Sequence, residues 1–195
     1  AMNEHSTHPV HSSEGLFAGE GVLRQAGLEA GDAFLDAGAG PGYLSLAAAA
    51  IVGDRGRVYA LDIQPEAVAT VQQEAHRRSI CNIQTMIADL SQEIPLGDNI
   101  IDFCLLSNVL HDLVEDGVAD RALDEIARVL KPEGRLLVIE FKADSDPPPG
   151  PPRQIRMSLA QGAALVSQHG FAAGPVTGAG PYNDAILCFR RRERT

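Results

Sequence analysis

The chain is 195 residues long, enough for one domain with a full hydrophobic core and little room for a second. Its 45% hydrophobic and 22% charged residues are ordinary for a folded globular protein, and a formal net charge of -10 argues against a nucleic-acid backbone as partner, because such binders carry a basic footprint. No apolar run approaches the ~20 residues of a membrane span, and no signal peptide is expected ahead of the core. Three scattered cysteines (Cys81, Cys104 and Cys188) suit neither a disulfide framework nor a zinc site. A cytoplasmic domain is expected, with Cys104 and Cys188 as small buried hydrophobes.

Residues 1–14 place His5, His8 and His11 among serines, a threonine and a proline. With no apolar anchor they predict a flexible arm rather than a metal site, leaving 15–195 as the single folded domain. Over residues 15–26, Leu16, Phe17, Val22 and Leu23 recur at loosely helical spacing and Gly27 supplies a C-cap, so a helix covering one sheet edge is predicted. An apolar stub at 33–35 then runs into Asp36, followed by Gly38, Gly40 and Gly42 and by Leu44-Ser-Leu-Ala-Ala-Ala-Ala50. That pattern reads as a buried strand, a tight turn and a helix packed on the strand through its alanines. Glycines there let a ligand approach the main chain, and the helix start offers free N–H groups to an anionic group.

Two cofactor classes compete for such a turn. Dinucleotide folds use G-x-G-x-x-G, but here the spacing is G-x-G-x-G and Tyr43 stands where the third glycine belongs. The carboxylate of Asp36 would repel a pyrophosphate, yet it can accept hydrogen bonds from an ammonium group. A ligand bearing a cationic amine as well as an anion is implied: an amino-acid-bearing nucleoside.

After a turn at 53–56, residues 57–62 form a predicted second strand ending in Asp62, 20 residues beyond Gly42. A nucleoside-binding doubly wound fold needs an acceptor for the ribose hydroxyls there, with Ile63 against the base; a helix N-cap is the competing use of Asp62. Residues 65–78 read as a helix with Ala67, Val68, Val71 and Ala75 inward. Strand 3 is predicted at 83–88, followed by Asp89, and the most apolar run, 100–106, as a central strand 4 buried on both faces. Ser107, Asn108 and His111 follow it, off the carboxyl end, where ligands lie in open parallel sheets. His111 is a candidate proton acceptor from a substrate hydroxyl or acidic carbon; the alternative is a helix-start histidine satisfied by Asp112 or the backbone. A helix at 119–130, a turn at 131–134 and a strand at 135–140 come next, the strand ending in Glu140, a candidate second pocket acid. The proline-rich stretch 144–152 is a stiff loop beside Arg153 and Arg156, which either bind an acidic acceptor or serve the loop. Ser158 should cap a helix to 168, and two strands at 173–177 and 182–189 flank Gly178-Ala-Gly-Pro181.

Asp36-Ala-Gly-Ala-Gly-Pro-Gly42 resembles the first motif of class I S-adenosylmethionine-dependent methyltransferases, and Arg128-Val-Leu-Lys-Pro-Glu-Gly-Arg-Leu-Leu-Val-Ile139 resembles a later stretch of the same proteins. From about residue 28 onward the chain resembles the compact branch near the ubiquinone/menaquinone-biosynthesis methyltransferases. The resemblance implies an α/β, Rossmann-like, doubly wound fold: a seven-stranded, mostly parallel sheet of order 3-2-1-4-5-7-6 with strand 7 antiparallel. It implies S-adenosyl-L-methionine as cofactor and S-adenosyl-L-homocysteine as product, bound by Asp36, Gly38, Gly40, Gly42, Asp62, Ile63, Asp89, Leu90, Ser107 and Asn108. Asp89 would take the exocyclic amine of adenine, Asn108 the methionine end, and the N-terminal arm would fold over the cofactor. His111 and Glu140 are the candidate catalytic residues, no metal is called for, and the acceptor is expected to be a small molecule attacked through O, N or C. The rival readings are an NAD(P)-dependent oxidoreductase and a non-catalytic binder of S-adenosylmethionine.

Overall fold

The computed structural model describes residues 12–144 and 150–191. His5, His8 and His11 therefore lie outside the described residues, as do five positions of the proline-rich loop. Among the described residues seven strands form one sheet in the order β3-β2-β1-β4-β5-β7-β6. They are β1 (Ala33–Ala37), β2 (Arg57–Asp62), β3 (Ile83–Ile87), β4 (Ile101–Ser107), β5 (Leu130–Phe141), β6 (Phe171–Gly178) and β7 (Asn183–Arg190). Neighbours from β3 to β5 run parallel, whereas β7 is antiparallel to both β5 and β6, as the resemblance implies.

Side chains alternate across a strand, so successive apolar residues serve opposite faces. Phe34, Phe103, Leu105, Leu137 and Ile139 join one core cluster, while Leu35, Cys104, Leu106, Leu136 and Val138 join the other. The first face is covered by α1 (Gly19–Gln25) and α2 (Tyr43–Val52), through Leu23, Leu44 and Ala48. α3 (Pro65–Arg77) lies beside α2 against β2 and β3. On the second face sit α4 (Leu110–Glu115), α5 (Ala119–Val129) and α6 (Leu159–Gln168), whose Leu110, Leu123, Ile126 and Val166 are fully buried. Because the central strands are parallel and covered on both faces, their carboxyl ends open along one rim of the sheet.

Three expectations are corrected. Residues 15–18 are not helical, and α1 begins only at Gly19. The Tyr43 hydroxyl explains this, since it donates to the Phe17 carbonyl at 3.0 Å and accepts the Gly19 N–H at 3.1 Å, holding those residues in a turn. At the other end Gly27 takes φ +86° and closes the helix as its spacing suggests. Residues 131–134, expected as a turn before strand 5, fall inside β5. The register passes from Ile101 opposite Leu130 to Phe103 opposite Arg135, so these residues bulge from the ladder, with Glu133 at φ +67°. Finally, β6 starts two residues early, at Phe171, whose ring is fully buried, and its pairing slips around Gly174 and Pro175, where the proline has no N–H to donate. The expected cap of α6 is present as a reciprocal pair: Ser158 Oγ accepts from Gln161 N, and Gln161 Oε1 from Ser158 N.

Candidate functional site

The turn after β1 is anchored by its own main chain. Gly38 N and Ala39 N both donate to the Leu61 carbonyl, at 2.8 and 2.9 Å, and Gly40 N donates to Asp62 Oδ2 at 2.8 Å. Gly42 is the N-cap of α2 in the left-handed region, φ +88°, and a Cβ on it would lie 2.7 Å from Val71 Cγ2 of α3. On Gly38 (φ +85°) a Cβ would lie 2.5 Å from Val109 Cγ2. The turn is thus gripped between α3 and the β4–α4 connection, and side chains at these two positions would push it off the sheet.

Asp36 is 2% exposed, and its Oδ2 accepts the Ser45 hydroxyl at 2.6 Å. Burial pushes its carboxyl up to about 7, against the pull of Ser45 and with a further push from the Asp62 charge. No cationic side chain among the described residues pairs with it. It opens on a small crevice whose wall includes Ser13, Gly38, Pro41, Tyr43 and Ser107, with no lysine or arginine among the described lining residues. A buried, partly neutralised carboxylate on such a crevice is chemically suited to receive a cation supplied from outside.

Asp62, at the end of β2, is half-buried. Its Oδ2 takes Gly40 N and its Oδ1 takes Gln64 N at 2.9 Å, which fixes the carboxylate plane while leaving lone pairs on both oxygens. The N-cap of α3 is Gln64, without a side-chain cap, so the competing N-cap use of Asp62 is not what the structure shows. Ile63 is 47% exposed beside it. Beyond β3, Asp89 Oδ1 accepts both the N–H and the hydroxyl of Ser91, at 2.8 and 2.7 Å, and Leu90 is buried. Three carboxylates, Asp89, Asp62 and Asp36, thus follow the ends of β3, β2 and β1 along the rim.

At the end of β4, Ser107 Oγ lies 3.1 Å from Ser13 Oγ. Asn108 holds φ +57°, its N–H donates to Ile139 O at 2.8 Å, and its Oδ1 accepts Asn183 Nδ2 at 2.9 Å. His111 and Glu140 meet one another, on the α4 side of the sheet, and neither lines the crevice. Glu140 Oε2 is 2.7 Å from His111 Nδ1, and Asp112 Oδ1 is 3.2 Å from Nε2. Burial works against charge on the ring, but the hydrogen bonds to Asp112 and Glu140 outweigh it and raise the imidazole to about 10. Both ring nitrogens are thereby engaged by carboxylates, which hold the ring at the start of α4 beside the end of β5. Arg156 is turned to the main chain, with Nε on Pro151 O at 2.9 Å and Nη1 on Lys142 O at 3.2 Å, serving the loop after β5; Arg153 is exposed.

Among the described residues no cluster of three or more His, Cys, Asp or Glu is arranged for a metal, and no helix is long and apolar enough to cross a membrane. Cys104 and Cys188 are buried, as expected, and burial raises both thiols, that of Cys188 to about 12, which leaves them unreactive. Ser45, Ser13 and Asn183 escaped the sequence reading. Only Ser45 carries a local signal, as the one polar residue in the otherwise apolar α2.

Comparison with known proteins agrees with this geometry. A family profile described as Methyltransferase domain matches residues 35–138. The chain is 33% identical over 116 residues to the ubiquinone/menaquinone biosynthesis C-methyltransferase UbiE of Vibrio parahaemolyticus, covering 60% of this chain and 44% of that protein. To the protein of the same name from Paraburkholderia phymatum it is 34% identical over 146 residues, covering 75% and 56%. The chain spans about half the length of the curated relatives it matches. In structure it is similar to a SAM-dependent methyltransferase from Aquifex aeolicus, with a TM-score of 0.84, 28% identity and coverage of 93% and 94%. With the match running through the glycine turn and both flanking carboxylate strands, the chain belongs to the methyltransferase domain family, the class I S-adenosylmethionine-dependent methyltransferases.

Proposed function

We propose that this chain moves a methyl group from S-adenosylmethionine to a small-molecule acceptor. The observation that carries the reading is Asp36: a buried carboxylate without a cationic partner among the described residues, at the foot of a crevice lined by the glycine turn. The residues present fit the cofactor of this family. Asp36 would receive its ammonium, Asp62 its ribose hydroxyls and Asp89 its adenine amine, with Ile63 against the base and Leu90 packed beneath. Gly38 lines the crevice while Gly40 and Gly42 fix the turn beside it, and Ser107 and Asn108 would border the methionine end. A diphosphate suits this rim poorly, because its three carboxylates would repel it and the described lining of the crevice holds no lysine or arginine.

When bound, the cofactor supplies a methyl group already activated by its sulfonium. What remains for the protein is to orient and to exclude water. Holding two reactants in line lowers a barrier by up to ~7–11 kcal/mol, so a strong base in the pocket is not required. That agrees with His111 and Glu140 being locked to one another, and their part in this reading is to set the β4–α4 connection that carries Asn108. The curated relatives are named for ubiquinone and menaquinone biosynthesis, so quinone precursors are the first acceptors to test. A cytoplasmic setting belongs to the same proposal.

The test has two arms. Calorimetry should show binding of S-adenosylhomocysteine and none of NADH; the reverse would return the chain to the oxidoreductases. Labelled methyl from S-adenosylmethionine should then enter a small-molecule extract, and binding without transfer would make the chain a non-catalytic binder.

A further inference from the structure

Ser45 is the third residue of α2 and is fully buried. A serine inside a helix commonly turns its hydroxyl back on a carbonyl one turn earlier. This one crosses to β1 instead and donates to Asp36 Oδ2 at 2.6 Å. In the first turn of a helix the main-chain N–H also lacks an intrahelical acceptor, and that of Ser45 adds its pull on the same carboxyl. The other carboxyl oxygen, Oδ1, accepts no hydrogen bond from any described residue, while Asp36 itself lines the crevice. Burial and the charge of Asp62, at the end of β2, both favour the neutral acid. The neighbours from the other elements supply no cation: Tyr43 on α2, Ser107 on β4, and Cys104 of β4, whose thiol burial keeps protonated. Among the described residues Ser45 is thus the one that works for the ionised form.

We propose that Ser45 is a positioning residue for the cofactor: its hydroxyl anchors one oxygen of Asp36 and leaves the other bare, as a charged acceptor for the ammonium of the amino-acid moiety. This rests on the methyl-transfer reading above and adds to it the group that fits Asp36 for its part. A buried carboxyl without such a donor is more stable with its proton on, and a neutral acid offers an ammonium no opposite charge. The bond also fixes the carboxyl plane, so that a single oxygen is left for the ligand. Packing alone does not ask for a hydroxyl at this place. α2 is otherwise apolar, and alanine, which fills positions 47–50, would suit the helix and its buried face better. What the serine adds is its hold on Asp36.

Ser45→Ala deletes the donor and should fold, because a buried carboxyl that loses its donor can keep its proton. Calorimetry follows two ligands: S-adenosylhomocysteine, and methylthioadenosine, which shares the nucleoside but carries no ammonium. Wild type, Ser45→Ala, Asp36→Asn and the double variant are compared from about pH 6 to about pH 8.5, the range in which Asp36 ionises. Losing the hydrogen bond should move that ionisation up by about one pH unit. Ser45→Ala should then bind S-adenosylhomocysteine roughly eightfold more weakly than wild type at about pH 6.5, and come within about twofold of it at about pH 8.5. Methylthioadenosine should bind both proteins alike, and Ser45→Ala should add nothing to the loss already caused by Asp36→Asn. The proposal is overturned if the deficit is the same at every pH, if methylthioadenosine loses as much, or if the two substitutions add. Wild type that binds no S-adenosylhomocysteine at any pH sinks the methyl-transfer reading itself, and this proposal with it.

Discussion

Glu140 holds His111 twice: its Oε2 lies 2.7 Å from the ring Nδ1 and its Oε1 accepts the His111 main-chain N–H at 3.2 Å. The folded-state pKa of the ring is raised from 6.5 to about 10, so the pair stabilises the fold fully below pH 6.5. The contribution fades as pH climbs through 10. Removing the cation leaves Glu140 buried with its charge uncompensated, and His111→Gln should cost about 3–5 kcal/mol at pH 6 in urea unfolding. The gap between wild type and variant should narrow steadily towards pH 10. A gap that stays constant over that range would mean the pair is not ionised.

Asp36 titrates the other way round in its consequences. Its carboxyl is raised from 3.8 to about 7, so the fold favours the neutral form, and the free protein loses stability as pH rises between those values. Receiving an ammonium requires the ionised form. Affinity for S-adenosylhomocysteine should accordingly rise by up to about tenfold per pH unit below 7 and level off above it. Asp36→Asn should be more stable than wild type at pH 8 without ligand, yet bind the product poorly at every pH. Calorimetry and thermal scans across pH 5.5–8.5 (an experimental range of about three units around this pKa) check both halves.

Asp62→Ala removes the expected ribose acceptor together with the partner of Gly40 N and Gln64 N. Binding of S-adenosylhomocysteine should fall below detection by calorimetry, while stability drops only about 1–2 kcal/mol, one to two hydrogen bonds' worth. Unchanged affinity would remove Asp62 from the site.

Gly42→Ala tests the grip on the turn. A left-handed backbone costs a residue with a side chain about 1–2 kcal/mol, and the added methyl would meet Val71 Cγ2 at 2.7 Å. A loss of about 2 kcal/mol or more is expected, with reduced cofactor affinity. Because the strain and the contact are separable, a Gly42→Ala/Val71→Ala double variant should lose less than the sum of the two single losses. Strict additivity would place the cost in the backbone alone.

What the sequence made legible is what depends on neighbours in the chain. The glycine turn, Asp36 and Asp62 are set by a strand–turn–helix whose pattern is written in consecutive residues, and the structure places them on one rim. Tyr43 was visible as a misfit in a dinucleotide motif, but its clamp on Phe17 and Gly19 joins positions 24 and 26 residues apart. The residues at 131–134 have turn chemistry, and whether they turn or bulge is decided by pairing with β4. His111 and Glu140 are each legible singly; that they answer one another across 29 residues of sequence follows from the adjacency of β4 and β5. Asn183 had no local mark at all, since its position against Asn108 exists only once the hairpin has docked.

The place of β7 has a consequence for how the molecule is made. It emerges after the six other strands of this sheet, yet it slots between β5 and β6, and until it arrives the main chain of β5 from Arg135 to Phe141 is bare along one side. During synthesis that naked border is sticky, open to any passing strand. A nascent chain halted before residue 183 should stay protease-sensitive and in need of chaperone cover, because it lacks an interior plank rather than a trimmed margin.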